Sequence, residues 1–215
     1  NIPNTIMSKR YLRLLVDSGK VSGYDDPRMP ALCGLRRRGF TADSIRNFIL
    51  ATGLSRVNST VESDQLDEEL RNDLKLKAMR PNAIVNPVKV IIDNYPEGQI
   101  EYLDCPNNPE NEEMGSRKIA FSREVYIDRD DFIEEKPNKK WKRLALNVEV
   151  RLMHAYFITA NSVEKDSEGN ITCIHATYDP ATRSGSGFSE RKPNGNINFV
   201  EATTAVPAEF RLFEP

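Results

Sequence analysis

The spacing of apolar residues changes once along this chain, near Pro81, and that change limits the folds open to it. Before it, apolar residues recur at helical intervals. Lys9 to about Ser18 carries Leu12, Leu15 and Val16 on one side and stops near Gly19. Pro30 suits a first helical turn, and Gly39 suits the residue beyond the end of a helix carrying Arg36, Arg37 and Arg38. Thr41 is placed to cap a third helix, in which Ile45, Phe48 and Ile49 share a face before Gly53. Ser63 is placed to cap a fourth, with Leu66, Leu70 and Leu74 recurring along it.

After Pro81 the apolar residues come in short or alternating runs: 88–92, 99–103, 124–127, 156–160, 170–178 and 197–200. Turn residues separate them at Pro96-Glu97-Gly98, Glu168-Gly169-Asn170 and Pro193-Asn194-Gly195. Short strands without helices between them predict antiparallel barrels and not a parallel sheet, so the fold class is α+β. Arg183-Ser184-Gly185-Ser186-Gly187 reads as a mobile loop, and 209–213 as a last strand whose edge calls for a partner further along a longer protein.

Charge and cysteine content narrow the function classes. A net charge of −2 does not announce a nucleic-acid binder, but the charges are segregated. Cations gather at Arg36–Arg38 and at Lys136, Lys139, Lys140, Lys142, Arg143 and Arg151, while acids gather between Glu62 and Asp73. Such clusters are the footprint of a local phosphate-binding surface. No run reaches the roughly 18 apolar residues of a membrane span, and no charged start precedes an apolar stretch as in a signal peptide. Cys33, Cys105 and Cys173 are odd in number and far apart, which predicts reduced thiols in a cytoplasmic protein. With His154 and His175 as the only histidines and no Cys-x-x-Cys, no metal site is expected.

Three words carry candidate chemistry. Ile6-Met7-Ser8-Lys9-Arg10 stands at a helix start, where backbone N–H groups, a hydroxyl and an ammonium can meet an anion. Taken alone, it reads as an ordinary helix start capped by Ser8. In Gly23-Tyr24-Asp25-Asp26-Pro27-Arg28-Met29-Pro30, aspartates before a proline make a rigid turn with which Arg28 can pair. The consecutive arginines of Gly34-Leu35-Arg36-Arg37-Arg38-Gly39 fan around a helix, leaving open which of them faces RNA.

In this order and spacing the three words resemble the junction between the catalytic core and the RNA-reading half of class I glutaminyl-tRNA synthetases of bacterial type. The resemblance continues through Arg80, Ala83-Ile84-Val85, Pro87-Val88-Lys89, Glu113-Met114-Gly115-Ser116-Arg117, Trp141-Lys142-Arg143-Leu144 and Glu149-Val150-Arg151-Leu152 to Tyr156, and on to Gly169-Asn170-Ile171-Thr172. It implies that residues 1–79 are the end of a catalytic core with its ATP loop plus a helical connector. Residues 80–215 would then be an anticodon-binding region of two linked β-barrels, incomplete at the C-terminus.

By the same resemblance, Met7, Ser8 and Lys9 bind ATP, and Lys9 meets the charge developing on its phosphates. Arg80 belongs to the pocket of the central anticodon uracil, Lys142 and Arg143 to that of the third-base guanine, and Arg151 to that of the first base. The second arginine of that first pocket is Met153 here, so its chemistry stays open. Trp141 suits a stacking platform and core packing equally. In the loop Ser55 to Ser63, Arg56 and Asn58 are the expected backbone contacts with the RNA, whereas Glu62 is expected to cap the next helix.

The implied parent uses ATP with Mg2+ to join glutamine to tRNA(Gln) in the cytoplasm as a monomer, while this stretch alone is expected to be inactive and to hold no cofactor. The nearest alternatives are a glutamyl-tRNA synthetase of archaeal or eukaryotic type and a non-catalytic RNA-binding module. Met29 after Arg28 and Phe40-Thr41 after Gly39 favour the glutaminyl family, and the Met7-Ser8-Lys9 word disfavours a pure binding module.

Overall fold

A computed structural model of the chain describes residues 5–53 and 60–212. They fall into two compact units, one helical up to Ala78 and one built of strands from Met79 to Phe210.

The helical unit holds α1 (Lys9–Asp17), α2 (Leu32–Arg38), α3 (Ala42–Thr52) and α4 (Ser63–Lys77). Gly39 ends α2 in the left-handed region at φ 107°, and the Thr41 hydroxyl accepts a hydrogen bond from Ser44 N to cap α3. Two placements differ from the sequence expectation. Ala31 is the N-cap of α2, so Pro30 lies outside the first turn, where it stiffens the approach instead. Glu62 occupies the N-cap position of α4 without a side-chain bond there, and Ser63 is already helical.

Polar contacts tie this unit together. Asp26 is buried and accepts hydrogen bonds from Ser22 and from the backbone and guanidinium of Arg28, which holds its carboxyl far below the usual range. The turn closes tightly on α2: a Cβ at Gly34 would stand 2.3 Å from the Met29 carbonyl oxygen and 2.7 Å from that of Asp26. Between α3 and α4, Thr41 donates to Asp73 (2.7 Å), while the Lys77 ammonium bonds Asp43 (3.0 Å) and Asp73.

The strand unit contains β1 (Pro87–Ile92), β2 (Glu101–Pro106), β3 (Ser116–Phe121), β4 (Glu124–Asp128), β5 (Phe132–Ile133), β6 (Leu144–Ala145), β7 (Glu149–Leu152), β8 (Phe157–Lys165), β9 (Ile171–Asp179), β10 (Asn196–Ile197) and β11 (Val200–Glu201). Seven of them form one sheet in the order β10-β7-β8-β9-β1-β4-β11. Its edge strands β10 and β11 are separated in sequence only by Asn198 and Phe199. Three residue steps span at most about 11 Å. A flat sheet of this width would hold its edges roughly 29 Å apart. The sheet must therefore curl on itself, and its concave side becomes the core.

Alternation along the strands supplies that core. Val88, Val90 and Ile92 of β1, Val125 and Ile127 of β4, Ile158 of β8 and Ile174 of β9 all point inward. Phe121 packs edge-on against Tyr95 (5.2 Å) and Phe199 (5.7 Å). The Glu101 carboxylate accepts the hydroxyls of Tyr95 and Tyr156, both at 2.9 Å. Burial and that bond push the Tyr156 hydroxyl up to about 12.

The α+β class and the prevailing antiparallel pairing agree with the sequence. The pairing is not wholly antiparallel, however: β1 with β9, β10 with β7 and β5 with β6 run parallel. Residues 205–212 form no strand, because alternation without a neighbouring ladder does not make one. The stretch expected as a mobile loop is anchored at its start. Ser184 bonds the Ala155 carbonyl through both N and Oγ, and Arg183 lies 3.6 Å from Glu101.

Candidate nucleic-acid interface

The Met7-Ser8-Lys9 word lies where the sequence suggests. Ser8 is the N-cap of α1; its carbonyl accepts from Tyr11 and Leu12, and its hydroxyl makes no capping bond. Met7 and Lys9 are exposed. Of the three arginines, Arg37 pairs with Asp25 (2.8 Å), while Arg38 lies 3.8 Å from Asp67 and over the Phe40 ring. Arg36 is exposed and has neither kind of contact among the described residues. Arg56 and Asn58 lie outside the described residues.

In the strand unit, Arg80 is fixed through its main chain. Its N–H donates to the Asn107 carbonyl (2.8 Å), and its own carbonyl accepts from the Arg117 guanidinium (2.9 Å). Its half-exposed guanidinium pairs with Glu110 at 3.2 Å. The β2–β3 hairpin thus sets where Arg80 stands. Beyond Arg80, a groove of about 870 Å3 runs past Ile84, Tyr102, Arg117, Tyr126, Phe199 and Phe210.

Lys142 and Arg143 sit between β5 and β6, in a stretch of turns. The Arg143 guanidinium donates to the Asp130 carbonyl (2.8 Å), lies 3.3 Å from the Asp131 carboxylate and stands 5.7 Å from the Trp141 ring centre. Burial pushes the Asp131 carboxyl up, partly offset by Arg143. Trp141 is half-buried and donates its indole N–H to the Leu144 carbonyl (3.2 Å), so the ring is held in place where it backs a cation. Lys142 is exposed, with no ion pair among the described residues.

Arg151 is more enclosed. One terminal nitrogen donates to the carbonyls of Thr182 (3.0 Å) and Ala155 (3.3 Å) and to the Ser184 hydroxyl (2.8 Å), and the guanidinium lies 4.2 Å from the Phe157 ring centre. Burial lowers its pKa, though a guanidinium stays charged. Arg151 therefore ties the strap that follows β9 to β7. Next to it, His154 turns the chain at φ 64°, its pKa pushed down by burial and by Arg117.

Two arrangements escaped sequence reasoning. On β8 and β9, ligand atoms of Glu164, Cys173 and His175 lie within 4.8 Å of one another. The His175 ring has Asp93 on Nδ1 (2.9 Å) and Glu164 on Nε2 (3.0 Å), and these bonds raise its pKa. Carboxylates on both nitrogens suit an imidazolium, which uses both N–H groups as donors. The second is the Asn194-Gly195 turn, which touches both Lys142–Arg143 and β7. A turn signal marked it in the sequence, but nothing local shows contacts across some fifty residues.

Comparison with known proteins adds independent findings. The sequence model described as the anticodon-binding domain of class I tRNA synthetases (E and Q) matches residues 78–179. The catalytic-domain model of the same family matches residues 1–76. A glutamine–tRNA ligase of Clostridium perfringens is 54% identical over 215 residues, covering 100% of this chain and 39% of that protein. Those of Clostridioides difficile and Alteromonas mediterranea are 53% and 49% identical, again over 100% of this chain and 39% and 38% of their own lengths. The chain thus spans about two-fifths of the curated relatives it matches.

Proposed function

Because the chain belongs to the class I tRNA synthetases of the E and Q type, we propose that it is the anticodon-reading part of a glutamine–tRNA ligase together with the end of its catalytic core. Residues 80–215 read the anticodon of tRNA(Gln), and residues 1–79 carry the ATP loop and the connecting helices. The observation that carries this reading is the Arg143 group. A half-exposed guanidinium is fixed by Asp131 and the Asp130 carbonyl beside an indole. A planar fork so held can meet guanine O6 and N7 in two parallel hydrogen bonds, and the neighbouring Lys142 ammonium adds phosphate attraction. Arg80 and Arg151, each fixed by other contacts, serve the central and first bases. Arg56 and Asn58 position the RNA through its backbone.

The whole protein joins glutamine to the terminal adenosine of tRNA(Gln), with Mg2+ arriving on the ATP. Met7, Ser8 and Lys9 contribute to that step from the start of α1. The Ser8 hydroxyl, which makes no capping bond, and the exposed Lys9 ammonium can meet phosphate oxygens, and Lys9 stabilises charge as it builds there. The protein works as a cytoplasmic monomer. No helix among the described residues is long and apolar enough to cross a membrane.

Aminoacylation by the full-length protein, comparing glutamine with glutamate on tRNA(Gln), tests the reading. Charging with glutamine is expected. Charging with glutamate would assign the chain to the glutamyl branch, and no charging at all would leave an RNA-binding module.

A further inference from the structure

We propose that the Asn194-Gly195 turn is a positioning element for anticodon reading, a clamp that sets Lys142 and Arg143 against strand β7, which bears Arg151. This rests on the anticodon-reading assignment of those three residues.

Both side-chain N–H donors of Asn194 go to the segment it holds. Its Nδ2 donates to the Trp141 carbonyl and the Arg143 carbonyl, both at 3.0 Å, bracketing Lys142 from two sides. Its Oδ1 accepts from Lys136 (2.6 Å), which fixes the amide in the one orientation that leaves both N–H donors facing those carbonyls. Its backbone N–H donates to the Glu149 carbonyl at the start of β7 (2.9 Å).

Gly195 completes the contact. A Cβ there would stand 1.7 Å from the Lys142 carbonyl oxygen and 2.7 Å from its carbon, so only glycine lets the two backbones approach this closely. The Gly195 carbonyl in turn accepts from Arg151 N (2.9 Å), and Asn196 pairs with Arg151 in the parallel β10–β7 ladder. The segment carrying Lys142 and Arg143 has only the two-residue strand β6 following it to hold it to a sheet. Without the clamp the Arg143 guanidinium keeps its charge and its Asp130 and Asp131 contacts, but the main chain that carries it loses its fixed place against β7. Attraction to phosphate then survives, while the two-bond geometry on a guanine does not.

The test is binding of the whole chain, at one fixed salt concentration, to anticodon stem-loop RNAs differing only at the third anticodon base, guanine or adenine. The wild type is expected to prefer guanine by about tenfold or more, the range of one good bidentate base contact. Asn194→Ala and Gly195→Ala are each expected to reduce that preference to about twofold or less while retaining most of the binding to the guanine RNA. Asn94→Ala is the control. It removes a comparable pair of side-chain bonds to a backbone, those with Tyr178 N and O at 2.9 Å, away from Lys142 and Arg143, and should keep the wild-type preference.

A purely structural role for the turn would lower the melting temperature of Asn194→Ala without changing base preference. Wild-type preference in both Asn194→Ala and Gly195→Ala overturns the clamp and leaves the anticodon assignment intact. Absence of any preference in the wild type overturns the assignment itself, and the clamp with it.

Discussion

The helical and strand units solve the problem of staying folded in opposite ways. In the helical unit the buried hydrophobic side chains are Val21, Met29, Phe40 and Leu66, while Leu14, Leu32, Ile49 and Leu50 stay exposed among the described residues. Its order comes from charged and polar contacts: the Asp26–Arg28 turn and the Thr41, Asp43, Asp73 and Lys77 network. The strand unit has a core of twenty buried residues centred on Phe121 and the curled sheet. A core of that kind can hold loop-borne arginines at fixed positions, which base reading requires. The helical unit has no comparable anchor of its own.

The sharpest break of this contrast is Phe121→Ala, which opens a void among Tyr95, Tyr156 and Phe199. It should cost about 3–5 kcal/mol, read as a lowered denaturant midpoint of the near-UV aromatic signal.

Glu201 tests an unusual polar element of the same unit. The carboxylate is buried, which would raise its pKa. Hydrogen bonds from Ser122, Thr203 and Thr204 outweigh that and bring it from 4.5 down to about 2. A folded pKa below the unfolded one gives stability that is complete above about 4.5 and lost as pH falls towards 2. Glu201→Gln should therefore lower stability at neutral pH by on the order of 3 kcal/mol and flatten its acid limb between those values in denaturant titrations.

In the helical unit, Gly34→Ala forces a methyl against two backbone carbonyls and should cost about 2 kcal/mol. The comparison predicts that this loss appears in the far-UV helical melt while the near-UV signal of the aromatic core is retained.

His175→Gln should have a smaller effect, below about 1 kcal/mol, since Asp93 and Glu164 are largely exposed. The two carboxylates raise the His175 pKa, so the stability they contribute is complete below about 6.5 and lost as pH rises through the folded value. The variant should lack that alkaline loss in a stability profile from pH 6 to 9. Smallest of all is Leu50→Ala. This leucine is 77% exposed, and its loss should shift stability by less than about 0.5 kcal/mol, the counterpart of Phe121 on an uncovered face.

Legibility in the sequence followed how local the cause was. Thr41 capping α3, Gly39 ending α2, and the inward alternation of β1 and β9 are decided within a few residues and were readable. β3 was missed because Arg117 and Lys118 interrupt its apolar run, and β7 because four residues give too short a period. Of the strand expected at 209–213, the described residues 209–212 form none, since alternation says nothing about whether a ladder partner exists. The residues of the candidate site were named from resemblance, but what fixes them was invisible. Asn107 and Arg117 hold Arg80, Asp131 orients Arg143, and Asn194 reaches Trp141 and Arg143 from far along the chain.

The most direct measurement of the central claim is the affinity of this chain, at one fixed salt concentration, for anticodon stem-loops that differ only in the central base. Salt must be held constant because the phosphate contribution falls steeply as it rises. Replacing the central uracil should weaken binding by about tenfold, and Arg80→Ala should remove that difference. Equal affinity for the matched and altered loops in the wild type would contradict anticodon reading by the strand unit.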